Sequence, residues 1–158
     1  RNVAELSKML SRARQQYPAL KVSLELEKPR DGIEGLFAQA DLLICSRGFC
    51  RHHGFDNPQP FADWMRRQAP QAEVVVAWGE SGAFGLEAGG GWLHAPACPP
   101  ARVVDTLGAG DTFNAALIAA RAAGQPLAVA LDQACRLAGK KCGIAGFDLF
   151  GAPGSSVA

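Results

Sequence analysis

The chain has 158 residues, of which 48% are hydrophobic and 20% charged, and its formal net charge is +1. This balance is typical of one globular domain with a real core. It argues against a nucleic-acid-binding protein, because no basic run is present, and against a membrane protein, because no apolar stretch approaches the length of a span.

The first half of the chain alternates between helical and strand patterns. Apolar periodicity predicts three helices, at residues 2–16, 33–39 and 61–68. Alternating or continuous apolar runs predict three strands, at residues 21–27, 41–46 and 73–78. Strands that alternate with helices in this way predict an α/β layer fold with right-handed crossovers.

Four polar residues of this half have an ordinary structural explanation. Glu25 and Glu27 fall on the polar face of the first strand, where surface charges need no function. His52 and His53 are adjacent and have no partner at ligand spacing, so we expect both on a solvated helix surface and not at a metal.

A glycine-rich segment, Gly79-Glu80-Ser81-Gly82, follows the third strand. Two glycines within four residues predict a tight loop that a ligand approaches, although an ordinary β-turn has the same composition. Residues 83–86 and 92–94 then predict a hairpin across three consecutive glycines.

Residues 102–114 form the most informative stretch. Val103-Val104 predicts a short strand, and a turn with Gly108 and Gly110 then leads into an apolar helix. Unpaired N–H groups and the helix dipole make such a helix start a site for an anion. A carboxylate inside that turn, Asp111, suggests a base that takes a proton from an attacking hydroxyl, whereas the plainer alternative is a helix N-cap.

Two other phosphate motifs are excluded, and one more helix follows. No Gly-x-x-x-x-Gly-Lys-Ser/Thr occurs, and Phe113 stands where a dinucleotide fingerprint needs its third glycine. A helix is predicted from about Pro126 to Gly139, and Lys140 and Lys141 at its end suit the helix dipole.

The nonapeptide Asp105-Thr106-Leu107-Gly108-Ala109-Gly110-Asp111-Thr112-Phe113 resembles the C-terminal signature of the ribokinase-like (PfkB) carbohydrate kinases. The blocks at residues 22–30 and 138–148 resemble the members of that family that phosphorylate ketohexoses. The resemblance runs from Arg1 to about Phe150. It implies a three-layer ribokinase-like fold, with a mostly parallel sheet and helices on both faces, truncated at its N-terminus. Residues 1–150 would be the C-terminal part of one kinase domain and residues 151–158 a flexible tail.

The resemblance also implies an activity and a set of site residues. The activity is ATP-dependent phosphorylation of a sugar hydroxyl, with fructose or another ketohexose, at C1, as the expected substrate. Asp111 would bind the sugar hydroxyl as general base, and the N–H groups of Gly108, Ala109 and Gly110 would form the anion hole. Nucleotide contacts are expected from the following residues: Gly79, Glu80, Ser81, Gly82, Ala138 and Cys142.

Members of the family use ATP with Mg²⁺, held mostly by phosphates and water, and many are activated by K⁺. The usual Asn-x-x-Glu motif is missing, because Ser46-Arg47-Gly48-Phe49 stands in its place. The half of the family fold that carries the lid and most sugar contacts has no counterpart here, so we expect little turnover from Arg1–Ala158 alone. The full-length protein could form a homodimer.

The five cysteines are odd in number and include no Cys-x-x-Cys pair, which indicates reduced thiols in a cytoplasmic protein. Two alternatives for the function stay open. One is a kinase for a different sugar, a sulfosugar or a nucleoside, and the other is a non-catalytic nucleotide-binding relic, against which the intact Asp111 argues.

Overall fold

The computed structural model describes residues 2–146 of the chain. Its α-helices are α1 (Val3–Gln16), α2 (Arg47–His52), α3 (Pro58–Gln68), α4 (Ala109–Ala122) and α5 (Leu127–Cys142). Its strands are β1 (Ser23–Leu26), β2 (Leu42–Ser46), β3 (Glu73–Ala77), β4 (Ala83–Leu86) and β5 (Trp92–Ala95). Two 3-10 helices, Ile33–Gln39 and Gly79–Ser81, complete the regular structure.

The strands form one sheet in the order β1-β2-β3-β4-β5. β2 runs parallel to both β1 and β3, with Leu43 opposite Leu24 on one side and Val74 on the other. Leu43 and Val74 are fully buried, which explains why β2 and β3 are almost continuously apolar. The predicted α/β class with parallel strands is therefore confirmed.

The described chain divides into two compact units. The first contains residues 2–78 and 84–94, and the second contains residues 79–83 and 95–146. The core of the first unit joins strand residues to large side chains from its helices. Its largest fully buried members are Phe37, Phe49, Phe61, Leu26, Leu36, Leu43, Met65 and Val74.

The second unit is built on the pairing of α4 with α5. Buried residues recur at helical spacing in both helices, as at Phe113 and Leu117 in α4 and at Leu127 and Leu131 in α5. Gly139 of α5 lies against the backbone carbonyl of Cys98 so closely that any side chain would collide with it. The glycine therefore lets the segment before residues 105–113 pack directly on α5.

Several predicted boundaries move by a few residues, and one predicted strand is wrong. Val103 and Val104 form no strand: their side chains are 57% and 53% exposed. The Val104 N–H donates to the carbonyl of Cys142 at 2.8 Å, so a helix end takes the place of a neighbouring strand. The two β-branched residues therefore predicted a strand wrongly, because a strand forms only where a neighbouring strand is present to pair with it.

The histidine prediction is half right. His52 is exposed, but His53 is half-buried, and its ring lies 4.6 Å from that of Phe49 and 5.0 Å from that of Trp64. Burial, together with the neighbouring His52, lowers the pKa of His53 below its ordinary value. His53 thus belongs to the edge of the aromatic core and not to a solvated surface.

The remaining structural expectations can be stated briefly. Glu25 and Glu27 are exposed, as predicted. All five cysteines are free, and burial raises the pKa of Cys50 to about 12 and that of Cys135 to about 11. No helix in residues 2–146 is long and apolar enough to cross a membrane. The assignment of residues 1–150 to one domain remains a prediction, and residues 151–158 lie outside the described range.

Candidate active site

The turn before α4 begins at Gly108, which has φ of 77° and is the N-cap of the helix. This left-handed conformation favours glycine, because a Cβ would crowd the following carbonyl. The Thr112 N–H donates to the Gly108 carbonyl at 2.9 Å and closes the first turn of α4. The sequence Gly-x-Gly therefore builds an abrupt helix start with little side chain over it.

Several backbone N–H groups are unpaired at this helix start. Within residues 2–146, no hydrogen bond engages the N–H of Gly108, Gly110 or Asp111. Ala109 differs, because its N–H donates to the Thr106 carbonyl at 3.1 Å. The Ala109 N–H already closes the preceding turn, so the unpaired donors among the described residues of this turn are those of Gly108, Gly110 and Asp111. The anion hole predicted from Gly108, Ala109 and Gly110 stays a prediction, with Ala109 as its least available donor.

Asp111 is an exposed residue in the first turn of α4. It does not occupy the N-cap position, which Gly108 fills without any side-chain cap. The alternative interpretation of Asp111 as an N-cap is therefore wrong. The helix dipole favours a carboxylate in this first turn. An exposed carboxylate beside unpaired N–H groups is placed to meet both a hydroxyl and an anion.

The loop before the turn is anchored by a second carboxylate, Asp105. Its Oδ2 accepts from Lys141 Nζ at 2.7 Å and from the Gly146 N–H at 3.3 Å, while its Oδ1 accepts from the Leu107 N–H at 2.9 Å. The Asp105 carbonyl also accepts from Lys141 Nζ, at 3.0 Å. Four hydrogen bonds thus fix one residue between α5 and the turn.

These contacts change the acidity of Asp105. Its pKa lies below the ordinary value, chiefly because Lys141 donates to the carboxylate, with a further contribution from the Leu107 N–H. The side chain of Lys141 is fully buried, whereas that of Asp105 is 32% exposed. The anchor is therefore an ion pair with one end inside the second unit.

Cys142 takes part in the same anchor through its backbone. Its carbonyl accepts from the N–H groups of Val104, at 2.8 Å, and Asp105, at 3.2 Å. Ala138 lies one turn earlier in α5 and is half-buried, as is the side chain of Cys142. The structure thus joins Cys142 to the motif loop, while nucleotide contact by Ala138 or Cys142 remains a prediction.

The Gly79–Gly82 segment belongs to the same unit as the turn. Gly79 and Gly82 have φ of 62° and 88°, and Gly79, Glu80 and Ser81 are exposed. Gly82 is buried, and a side chain there would strike the backbone of residues 95–97. Gly82 therefore has a packing reason to be glycine, and nucleotide contact by this segment stays a prediction.

Ser46, where the family usually has Asn-x-x-Glu, has a structural role in the first unit. Its Oγ donates to the Glu27 carbonyl and accepts from the Phe49 N–H, both at 3.0 Å. It therefore caps α2 and ties the start of that helix to the segment after β1.

Sequence reasoning missed the role of Lys141, which it explained by the helix dipole. A signal was present, because Ala134, Ala138 and Lys141 follow one another at helical spacing along α5. Ala134 is fully buried, so the pattern places Lys141 on the face that packs inward. A charged residue on an apolar face needs a partner, and Asp105 is one that Lys141 has.

Comparison with known proteins identifies the family of the chain. The model of the pfkB family of carbohydrate kinases matches residues 3–147. Ketohexokinase of Mus musculus is 44% identical to the chain over 94% of the chain and 52% of the mouse protein. A fructosamine kinase of Bacillus subtilis is 40% identical over 51% of the chain and 28% of that protein. The chain thus spans about half the length of the mouse relative and less of the bacterial one.

Solved structures show the same fold. The crystal structure of a putative ribokinase from Agrobacterium tumefaciens has a TM-score of 0.77 and 24% identity, over 87% of this chain and 45% of that chain. Aminoimidazole riboside kinase from Salmonella enterica, solved with aminoimidazole riboside and an ATP analog, has a TM-score of 0.70 and 25% identity, over 87% of this chain and 51% of that chain. The fold is therefore ribokinase-like, and the chain belongs to the pfkB family of carbohydrate kinases.

Proposed function

We propose that the protein transfers the γ-phosphoryl group of ATP to a hydroxyl of a ketohexose, with fructose and its C1 hydroxyl as the expected acceptor. The observation that carries the proposal is the turn itself: an exposed carboxylate, Asp111, beside the free N–H groups of Gly108 and Gly110. Phosphoryl transfer needs a group that accepts the hydroxyl proton and donors that stabilise charge on the phosphoryl oxygens.

In this mechanism the Asp111 carboxylate accepts the proton of the attacking hydroxyl. The hydroxyl oxygen bonds to the γ-phosphorus as the bond from phosphorus to the ADP oxygen breaks, so ADP and the sugar phosphate are the products. The N–H groups of Gly108 and Gly110, at the positive end of the α4 dipole, stabilise the phosphoryl oxygens. Positioning and charge stabilisation supply most of the rate.

Mg²⁺ fits this site as a companion of the nucleotide. Within residues 2–146 no group of three His, Cys, Asp or Glu side chains could hold a metal. Mg²⁺ keeps several waters and binds readily through substrate phosphates and one carboxylate. The ion would be held mostly by the phosphates and water and would neutralise phosphate charge here.

The ketohexose assignment is supported by the names of the relatives. The mouse relative is a ketohexokinase, the Bacillus subtilis relative a fructosamine kinase, and an Escherichia coli relative, 37% identical over 42% of the chain and 25% of that protein, a fructoselysine 6-kinase. All three names denote a ketose or a compound derived from fructose. Fructose amines are therefore the second substrate class, with a kinase for a sulfosugar or a nucleoside as a further alternative.

The test is a substrate panel with the whole protein, ATP and Mg²⁺. ADP release should be fastest with fructose, slower with fructosamine and slowest with ribose or a nucleoside. Phosphorus NMR of the product should place the phosphate on C1. Release of ADP with a nucleoside alone would contradict the ketohexose assignment, and nucleotide binding without turnover on any acceptor would favour the non-catalytic relic.

A further inference from the structure

Lys141 is a fully buried lysine that the mechanism above does not use. Its ammonium group lies 2.7 Å from Asp105 Oδ2 and 3.0 Å from the Asp105 carbonyl oxygen. Burying an ammonium group is costly unless oxygens replace its water. A carboxylate oxygen and a carbonyl oxygen that converge on one point are also the kind of ligands that a hard cation binds.

Potassium activation, expected from the family, can be tested against this arrangement. Any cation beside the motif loop needs oxygens of that loop, and Asp105 supplies a carboxylate and a carbonyl together. Both oxygens already bind Lys141 Nζ. An ammonium group and a potassium ion are similar in size and carry the same charge, so the two compete for one position. Among the residues that the structure describes, the two Asp105 oxygens therefore do not fit a potassium ion.

We infer that Lys141 is a built-in monovalent cation, a positioning residue that holds Asp105 and makes the turn independent of K⁺. Lys141 lies in α5, and its ammonium group acts on the turn through its contact with Asp105. The Leu107 N–H is bound by the second oxygen of the same carboxylate, and Leu107 immediately precedes Gly108. The orientation of the free N–H groups at the turn thus depends on Lys141.

Two further contacts favour a positioning role over simple charge balance. The Cys142 carbonyl accepts from the N–H groups of Val104 and Asp105, so the end of α5 binds two successive peptide groups of this loop. The Gly146 N–H adds a third donor to the carboxylate, from beyond the helix. The inference deepens the proposed function and rests on it for the task of the turn, but the occupation of the Asp105 oxygens by Lys141 does not depend on it.

The experiment replaces Lys141 and varies the cation. Lys141→Ala removes the ammonium and its stem, which leaves a cavity beside the Asp105 oxygens. Lys140→Ala is the matched control, because it removes the same charge from the neighbouring, exposed position. The whole protein is studied in KCl and in tetramethylammonium chloride at equal ionic strength. The bulky cation of the second salt cannot enter the cavity.

Without nucleotide, the parent should melt at the same temperature in both salts, and so should Lys140→Ala. Lys141→Ala should melt about 10 °C lower in tetramethylammonium chloride, as expected for a broken buried ion pair, and should recover part of that loss in KCl. A parent that K⁺ stabilises over tetramethylammonium would overturn the inference. So would a Lys141→Ala protein that melts at one temperature in both salts.

Affinity for ADP with Mg²⁺, measured by calorimetry, is the second readout. Lys141→Ala should bind ADP about tenfold more weakly in tetramethylammonium chloride and recover in KCl, whereas the control should match the parent in both salts. A mere structural role would lower stability without this cation-dependent affinity. If the parent binds no ADP, the proposed function fails. The melting data still decide whether Lys141 occupies the position of a monovalent cation. If Lys141→Ala does not fold, the parent's response to the two salts decides it alone.

Discussion

The two carboxylates of the nonapeptide at residues 105–113, Asp105 and Asp111, have opposite surroundings. Asp105 is held by Lys141, Leu107 and Gly146 and has a lowered pKa. Asp111, at the other end of the motif, is exposed at the start of α4. The same side chain thus serves as an anchor in one position and stays available for chemistry in the other. The difference comes from the partner that α5 brings to the first and not to the second.

The largest expected effect separates the available carboxylate from the anchored one. Asp111→Asn in the whole protein should lower turnover by about 10²–10⁴-fold, because the amide cannot accept the hydroxyl proton. The melting temperature should change little, since Asp111 caps nothing. ADP affinity should hold or rise, because a negative charge beside the phosphates is removed.

The control for Asp111→Asn is Asp132→Asn, which removes a half-exposed carboxylate of the same unit that pairs with Arg136. Its turnover should equal that of the parent. Near-normal turnover in Asp111→Asn would contradict the role proposed for this carboxylate.

The next effect concerns the open turn. Gly110→Val should leave the melting temperature of the free protein nearly unchanged, because a Cβ at this position meets no atom within 4 Å. It should remove the stabilisation by ADP, which is about 2.7 kcal/mol at 100 times the dissociation constant, since the new side chain enters the space of the phosphates. Thermal shift with ADP and Mg²⁺ measures both quantities.

Gly110→Ala is the graded control for this change and should retain part of the ADP shift. An equal shift in the valine variant and the parent would show that the anion does not bind at this turn.

A substitution at Gly108, unlike one at Gly110, should lower the stability of the free protein. Gly108→Ala forces a side chain into a left-handed backbone, with φ of 77°, and should lower the free energy of unfolding by about 1–2 kcal/mol. Gly108→Asn should cost less, because asparagine tolerates this conformation better. Chemical denaturation of the three proteins measures the order. An alanine variant as stable as the parent would mean that the turn relaxes to another conformation.

The smallest effect is the pH dependence of the anchor. Because the pKa of Asp105 is lower in the folded protein than in the unfolded chain, where it is about 3.9, its contribution to stability is complete above that value. The contribution is lost as the pH falls through the lowered pKa of the folded state. Between about pH 5 and pH 2, the free energy of unfolding should therefore fall less steeply in Asp105→Asn than in the parent. Parallel slopes would show that the carboxylate has no lowered pKa.

Much of the fold followed from local pattern. The apolar runs of β2 and β3 and the periodicity of α1 and α5 predicted these elements within a few residues, because burial imposes a period on each kind of element. Glycine at positions 108 and 110 predicted the helix start for a similarly local reason. Family membership was also evident from these residues, since the signature is contiguous in sequence.

What the sequence by itself determined, then, was the α/β class, the turn and the identity of its exposed carboxylate. Only the tertiary structure decided that the Val104 N–H pairs with the end of α5 and not with a strand, and that Lys141 is buried against Asp105. The contact between Asp105 and Lys141 joins residues 36 positions apart. No local propensity encodes the partner of a backbone N–H or of a buried charge, because that partner is supplied by the packing of a distant helix.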